Sequence, residues 1–302
     1  MTQQSEPTDQ SAREQLLVDA VVASFADTPD VRLRGIMSSL VSYLHAFIRE
    51  VRLTEGEWQK AITFLTRAGH ITDERRQEFI LLSDVLGASM QTITINDAAS
   101  DGATEATVVG PFYVAGSPEV PLGGDIANGA GGEPCWVEGT VTDTSGRALA
   151  GARLEVWEAD DDGFYDMQYP DGRMAARAHL YTDDDGGYRF WALTPTPYPI
   201  PDDGPVGELL ALTNRSPLRA PHLHFMVTNK GMRRLTTHVF AAGDQLGYDS
   251  VFGIRQSLIV EFVPAAADEP TPDGSDLGGR SWSHARFDIV LAPAARDETA
   301  RD

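Results

Sequence analysis

Cysteine is nearly absent: Cys135 is the only one in 302 residues. That excludes an internal disulfide and any zinc cage built from cysteines, and a reducing cytoplasm suits such a chain best. Cations are also scarce, with 24 Lys and Arg against 45 Asp and Glu and a net charge of −21. A surface this acidic argues against a nucleic-acid partner, whose phosphates need basic residues. It gives no long-range help to an anionic substrate, so a neutral ligand or a local cationic pocket is expected. No apolar run approaches a membrane span. Residues Met1–Gln10 lack the basic and apolar regions of a signal peptide. No internal repeat is present. What remains is ordinary for a folded chain, with 42% hydrophobic and 23% charged residues and length for one large or two smaller domains.

After a polar tail over residues 1–10, helical spacing runs from Ser11 to about Leu86. Leu33, Ile36, Met37, Leu40, Leu44, Phe47 and Val51 recur at intervals of three and four and form one apolar stripe. Thr54 with Glu57 reads as a capping box, Gly69 as a helix stop, and a further helix opens near Thr72. His45 and His70 read as structural or solvated. Between Asp97 and Gly110 the helical period ends and short β-like runs begin. They are Trp136–Val141, Arg153–Trp157, Ala178–Tyr181, Tyr188–Ala192, His222–Val227, Leu235–Phe240, Ser257–Phe262 and Arg286–Leu291, parted by Gly- and Asp-rich turns. This pattern predicts an α+β chain: helices over 1–105, then a mainly antiparallel β-sandwich or barrel over 106–302. Residues 194–220 read as a long Pro-rich functional loop, 264–280 as a surface excursion, and 294–302 as a frayed end.

Within Arg219-Ala220-Pro221-His222-Leu223-His224-Phe225 two histidines stand one residue apart at the start of a strand. Alternation along a strand puts both on one face, about 7 Å apart, where they could close on one metal ion. Two tyrosines have unusual surroundings: Tyr165 follows Asp160-Asp161-Asp162-Gly163-Phe164, and Tyr198 lies in Pro197-Tyr198-Pro199-Ile200-Pro201. Holding a phenol ionised at pH 7 costs about 4 kcal/mol. A trivalent, oxygen-loving cation offsets that cost, whereas zinc more usually takes His, Cys or carboxylate. Two tyrosinates and two histidines would suit Fe(III). Three other readings stay open: a zinc hydrolase or lyase on His222, His224 and His238, a cupin, and a non-catalytic β-sandwich binding module. The cupin is disfavoured because Phe225 to Lys230 contain no acid.

Four stretches in order carry a resemblance: Gly110-Pro111-Phe112-Tyr113, Gly163-Phe164-Tyr165-Asp166, Pro197 to Pro205, and Arg219 to Phe225. In them the chain resembles the intradiol ring-cleaving dioxygenases, non-haem Fe(III) enzymes that open catechols between their two hydroxyls. The N-terminal helices resemble the family's dimerisation and linker domain. By position, Tyr165, Tyr198, His222 and His224 match the four ligands of one iron per subunit. Arg219 matches an arginine that faces the substrate, and Tyr198 the tyrosinate that takes a substrate proton. The resemblance further implies a pocket from Leu81, Asp84, Val108, Gly110, Pro111, Phe112 and Ile200, with Asp84 facing a third ring hydroxyl. It implies O2 as co-substrate and a homodimer through the helices, with phospholipid at that interface. The forms Gly-Phe-Tyr-Asp-Met-Gln and Thr236-Thr237-His238-Val239-Phe240 look most like the hydroxyquinol-cleaving members. Many catechol-cleaving members carry glutamine at His238, which could donate a hydrogen bond as glutamine does.

Overall fold

The first backbone N–H groups of a helix have no partner within it and need one from outside. In a computed structural model that describes residues 9–73, 76–97 and 102–294, Asp9 caps α1 (Gln10–Ala23) and Asp30 caps α2 (Val31–Val51). Gln10, expected in the tail, is thus helical, while residues 1–8 and 295–302 lie outside the described range. The expected capping box opens α3 (Glu55–Ile71): the Thr54 N–H donates to Glu57 Oε2 at 2.8 Å and the Glu57 N–H to Thr54 Oγ1 at 3.3 Å. Gly69 does not end this helix. It lies inside α3, and the end comes where the Thr72 hydroxyl bonds the Ala68 carbonyl at 2.7 Å. The next helix, α4 (Glu78–Val85), starts later than expected, and ahead of it the Arg76 N–H donates to Asp73 Oδ1 at 2.8 Å. A fifth helix, α5 (Ala88–Asp97), was not expected. Its threonines lower helix propensity, but the Thr92 and Thr94 hydroxyls bond back to carbonyls one turn earlier.

The chain divides into compact units over 1–66 and 67–302. Helix α5 ends at Asp97 and the first strand begins at Pro134, so α4 and α5 share a unit with the sheets. In the first unit, Leu33, Ile36, Leu40, Leu44, Phe47 and Val51 of α2 are exposed. No single helix among the described residues is long and apolar enough to cross a membrane.

The second unit holds β1 (Pro134–Asp143), β2 (Arg153–Trp157), β3 (Arg177–Tyr181), β4 (Gly187–Leu193), β5 (Tyr198–Pro199), α6 (Pro205–Leu212), β6 (Leu218–Arg219), β7 (His222–Thr228), β8 (Leu235–Ala241), β9 (Ile259–Val260), β10 (Val263–Ala265), β11 (Trp282–Arg286) and β12 (Ile289–Leu291). One sheet runs β3-β2-β7-β8-β9; in the other, β10-β11-β1-β12, β4 also pairs with β1. Most pairs are antiparallel, and β1/β11, β1/β12 and β8/β9 are parallel. The sheets share one core: Leu154, Val156, Leu223, Phe225, Val227 and Val239 from the first meet Cys135, Val137, Phe190, Ile289 and Leu291 from the second. The expected strand over 286–291 is broken in two. Across the break the Phe287 carbonyl accepts from Tyr188 Oη at 2.5 Å and the Thr140 N–H donates to Asp288 at 2.9 Å, replacing ladder bonds. The expected strand over 257–262 shortens to β9 after a 3-10 turn at Gln256–Leu258.

The stretch 194–220 is more ordered than its prolines suggest. Strands β5 and β6 pair within it, setting Tyr198 opposite Arg219. Helix α6 starts with Pro205, whose missing N–H is no loss in a first turn. The next N–H, that of Val206, donates to the buried Glu78 carboxylate at 2.9 Å, tying α6 to α4.

Candidate metal centre and active site

The period of two along β7 sorts its side chains. Leu223, Phe225 and Val227 enter the core, and His222, His224 and Met226 point away from it. The site therefore lies on the outer face of the first sheet. Register sets Trp157 of β2 and His238 of β8 on either side of His224. The indole stacks on the His224 ring, with centroids 4.6 Å apart and planes at 15°. His222 Nδ1–H donates to the Ala220 carbonyl at 2.6 Å. Since a carbonyl only accepts, this bond fixes the tautomer and leaves the Nε2 lone pair facing the site.

The tyrosines arrive on two irregular segments. Asp160 Oδ1 accepts from the N–H groups of Asp162 and Phe164, at 3.1 and 2.8 Å, and shapes the turn before Tyr165. Gly163 in this turn has φ +84°, and a β-carbon there would stand 2.8 Å from that of Tyr198, so glycine is needed on both counts. Beyond Tyr165, Asp166 receives Arg177 Nε and Nη2 at 2.9 and 2.7 Å. The same Nη2 donates to the Phe112 carbonyl at 2.8 Å. The Phe112 ring stacks on Tyr165 with centroids 4.5 Å apart. Arg177 thus braces Tyr165 from both sides.

Four donor atoms converge. Tyr165 Oη is 2.9 Å from Tyr198 Oη and 3.0 Å from His224 Nε2, Tyr198 Oη is 3.3 Å from His222 Nε2, and the two Nε2 atoms are 3.1 Å apart. Ligands about 2.0–2.1 Å from a first-row ion stand roughly 2.8–3.3 Å from one another at tetrahedral to right-angle spacing. All four residues are buried, at 0 to 3% exposure. Burial pushes the Tyr165 phenol well above its ordinary range and Tyr198 up as well, though the Arg219 guanidinium works against the latter rise. Burial likewise pulls His222 down to about 3 and His224 well below its usual value. With no cation all four groups are neutral. A cation at their focus favours the phenolates and keeps the imidazoles as lone-pair donors. The donor set fits non-haem iron.

His222, His224 and His238 also place nitrogens within 4.8 Å of one another. However, both Nε2 atoms of the first two already face the phenols. His238 Nδ1 shares a hydrogen bond with Thr107 Oγ1 at 3.1 Å, while its buried Nε2 has no hydrogen-bond partner among the described residues. The tyrosine-containing set closes the tighter ring. Arg219 is buried opposite Tyr198, its Nε bonds Asp249 Oδ1 at 2.5 Å, and its Nη2 has no hydrogen-bond partner among the described residues. Burial pulls the guanidinium down, but Asp249 and the two phenols outweigh it and leave it raised.

A cleft of about 430 Å³ opens beside the ring, walled by Leu81, Pro111, Phe112, Gly163, Pro199 and Ile200 among others. Four of the expected pocket residues line it. Gly110 has φ +77°, and a β-carbon there would meet His224 Cε1 at 3.4 Å, so it abuts the donor cluster instead. Val108 packs with Met90 and Val251. Asp84 is buried within the field of Arg219 and Asp249, its carboxyl pushed up chiefly by burial.

Residues 108–293 match the sequence family described as Dioxygenase, and residues 30–104 match Catechol dioxygenase N terminus. The chain belongs to the intradiol ring-cleavage dioxygenases. This family uses non-haem iron. Among its members, the hydroxyquinol 1,2-dioxygenase of Nocardioides simplex is 65% identical over 287 residues, covering 95% of this chain and 98% of that one. The catechol 1,2-dioxygenase of Candida albicans is 36% identical over 95% of each. The solved structure of hydroxyquinol 1,2-dioxygenase from Pseudomonas putida DLL-E4 superposes with a TM-score of 0.87 at 42% identity, covering 94% of this chain and all of that one. Within the intradiol framework, Trp157, Arg177, Thr107 and Asp249 are site-supporting residues that the sequence did not single out, and Asp166 entered only as the last residue of a matching motif. Only strand alternation offered a signal, and only for Trp157.

Proposed function

We infer that this chain is an intradiol dioxygenase acting on hydroxyquinol (benzene-1,2,4-triol), which it opens with O2 to 3-hydroxy-cis,cis-muconate, the enol form of maleylacetate. The convergence of two phenol oxygens and two imidazole nitrogens within 3.3 Å carries the reading. In this reading Tyr165, Tyr198, His222 and His224 hold one Fe(III) per chain. Bound there, ferric iron supplies a Lewis acid that draws electron density from a catecholate and makes its ring open to dioxygen.

The side chains divide the remaining work. Tyr165 is braced by Phe112 and Arg177, so it serves as the fixed ligand. Tyr198 sits on the two-residue strand β5, opposite Arg219, and is the tyrosine that the family resemblance gives the proton-accepting role. Its Oη takes the proton from a substrate hydroxyl, an exchange between groups of similar acidity. The unpartnered Nη2 of Arg219 stabilises negative charge that develops on the substrate. His238 offers its free Nε2 to the same region. Leu81, Pro111, Phe112 and Ile200 wall the ring, Val108 and Gly110 complete the pocket on this reading, and Asp84 accepts from the third hydroxyl. That last contact separates the triol from catechol, the alternative substrate, and the hydroxyquinol-cleaving relatives support the same choice.

On the same reading, residues 1–105 form the dimerisation and linker region and 106–302 the catalytic domain. The exposed apolar stripe of α2 supports a homodimer, with phospholipid between the copies. A lone buried thiol, pushed up to about 12 by burial, suits the cytoplasm. The test is a ring-cleavage assay on hydroxyquinol, catechol, chlorocatechols and protocatechuate. Hydroxyquinol should give the highest kcat/KM; a far faster reaction with catechol would overturn the substrate assignment and leave the chemistry standing.

A further inference from the structure

Arg219 reaches the site on a short strand, and its long side chain has many rotamers to lose before it can aim at one point. One edge of its guanidinium is already engaged, because Nε donates to Asp249 Oδ1 at 2.5 Å, with both side chains 3% exposed. The other carboxylate oxygen, Oδ2, accepts from the Gly253 N–H at 2.7 Å. The backbone beside Asp249 is tied to the same strand, since the Ser250 N–H donates to the Leu218 carbonyl at 3.1 Å. Arg215 holds the Ser250 carbonyl at 3.1 Å. The carboxylate is therefore fixed at both oxygens and through its backbone, and among the described residues it makes no hydrogen bond to any of the four ligand side chains. Nη2 of Arg219 is left buried and without a partner, on the residue that faces Tyr198 across the β5–β6 pair.

We propose that Asp249 is the positioning residue for Arg219: it holds the Nε edge of the guanidinium so that Nη2 is aimed at the substrate. This rests on the reading of Arg219 as the group that stabilises charge on the substrate. Such an anchor acts in the transition state more than in the ground state, because the charge it steadies builds up only as the ring is attacked.

The test is a double-mutant cycle between Asp249→Asn and Arg219→Gln in the iron-loaded enzyme. Asparagine keeps the size and one acceptor but loses the charge and the second acceptor. A hydrogen bond to a charged group supports an expected fall in kcat on hydroxyquinol of about 10- to 100-fold. KM should stay within about threefold. Iron content and the tyrosinate-to-iron absorption of the resting enzyme should match the wild type, while Tm should fall because the buried guanidinium loses its counter-charge. With Arg219→Gln already present, Asp249→Asn should cost less than about twofold more. Losses that multiply in the double variant, or a loss of iron or colour in Asp249→Asn alone, overturn the proposal. If Asp249→Asn does not fold, the same cycle with Asp249→Glu, which keeps the charge, decides by the same criterion. A wild-type chain that cleaves neither catechols nor the triol overturns the functional reading together with the proposal; an active wild type with multiplying losses overturns the role of Asp249 alone.

Discussion

Replacing Arg177 with methionine probes the brace behind Tyr165. Arg177 is 1% exposed, and its Nε and Nη2 make two charge-assisted bonds to Asp166 and one bond to the Phe112 carbonyl. Methionine fills much of the volume but leaves the Asp166 carboxylate, 5% exposed, with no counter-charge. Removing one partner of a buried ion pair costs about 3–5 kcal/mol. At about 2–4 °C per kcal/mol for a unit of this size, Tm should fall by roughly 6–20 °C. The Phe112 ring stacked on Tyr165 loses its tether, so iron affinity and the tyrosinate absorption should fall with it. Asp166→Asn combined with Arg177→Met removes the stranded charge and should regain at least half of the lost Tm. Thermal unfolding of the three variants, followed beside visible absorption, reads both effects. A single Arg177→Met variant within 2 °C of wild type, or a double variant less stable than either single one, would refute the reasoning.

Gly163→Ala should move Tyr198, because the new β-carbon would stand 2.8 Å from that of Tyr198 at a φ of +84°. Backbone strain of about 1–3 kcal/mol and a loss of about 10- to 100-fold in kcat from the displaced ligand are expected; unchanged kcat would contradict the packing. Glu158 is buried, with one carboxylate oxygen accepting from the Leu193 N–H and the other unpartnered. Burial raises its carboxyl well above the ordinary 4.5. The folded state therefore holds this proton more tightly than the unfolded chain. Its favourable contribution is complete below about pH 4.5 and is lost as pH rises through the folded pKa. Glu158→Gln should leave Tm near pH 4 within about 1 °C and raise it at pH 8 by at least about 2–4 °C. A lower Tm at pH 8 would show that the ionised carboxylate is stabilised there.

The four candidate ligands stood out because local rules mark them, and the family resemblance joined them into one set. Alternation puts His222 and His224 on one face whatever the tertiary fold, and prolines or Gly163 hold the backbone around both tyrosines. The sheet core was legible for the same reason. Asp249 was not, since it lies 30 residues from Arg219 and meets it only through a turn pinned by Gly253 and Leu218. Arg177 joins Asp166 to a carbonyl 65 residues upstream, a pairing with no local signature. Helix α6 was hidden in a Pro-rich stretch because part of its cap comes from Glu78 on α4. The threonines of α5 masked a helix by lowering its propensity. Gly69 misled because a glycine can sit in a helix interior when no turn forces it out.

The central claim is that two tyrosines and two histidines hold ferric iron. Metal analysis of the purified protein alongside its visible spectrum tests this most directly. The expected result is one iron per chain and a red tyrosinate-to-iron charge-transfer band, with iron, colour and activity lost together in Tyr165→Phe and in His224→Ala. A colourless protein holding zinc, or full ring-cleaving activity in either variant, would contradict it.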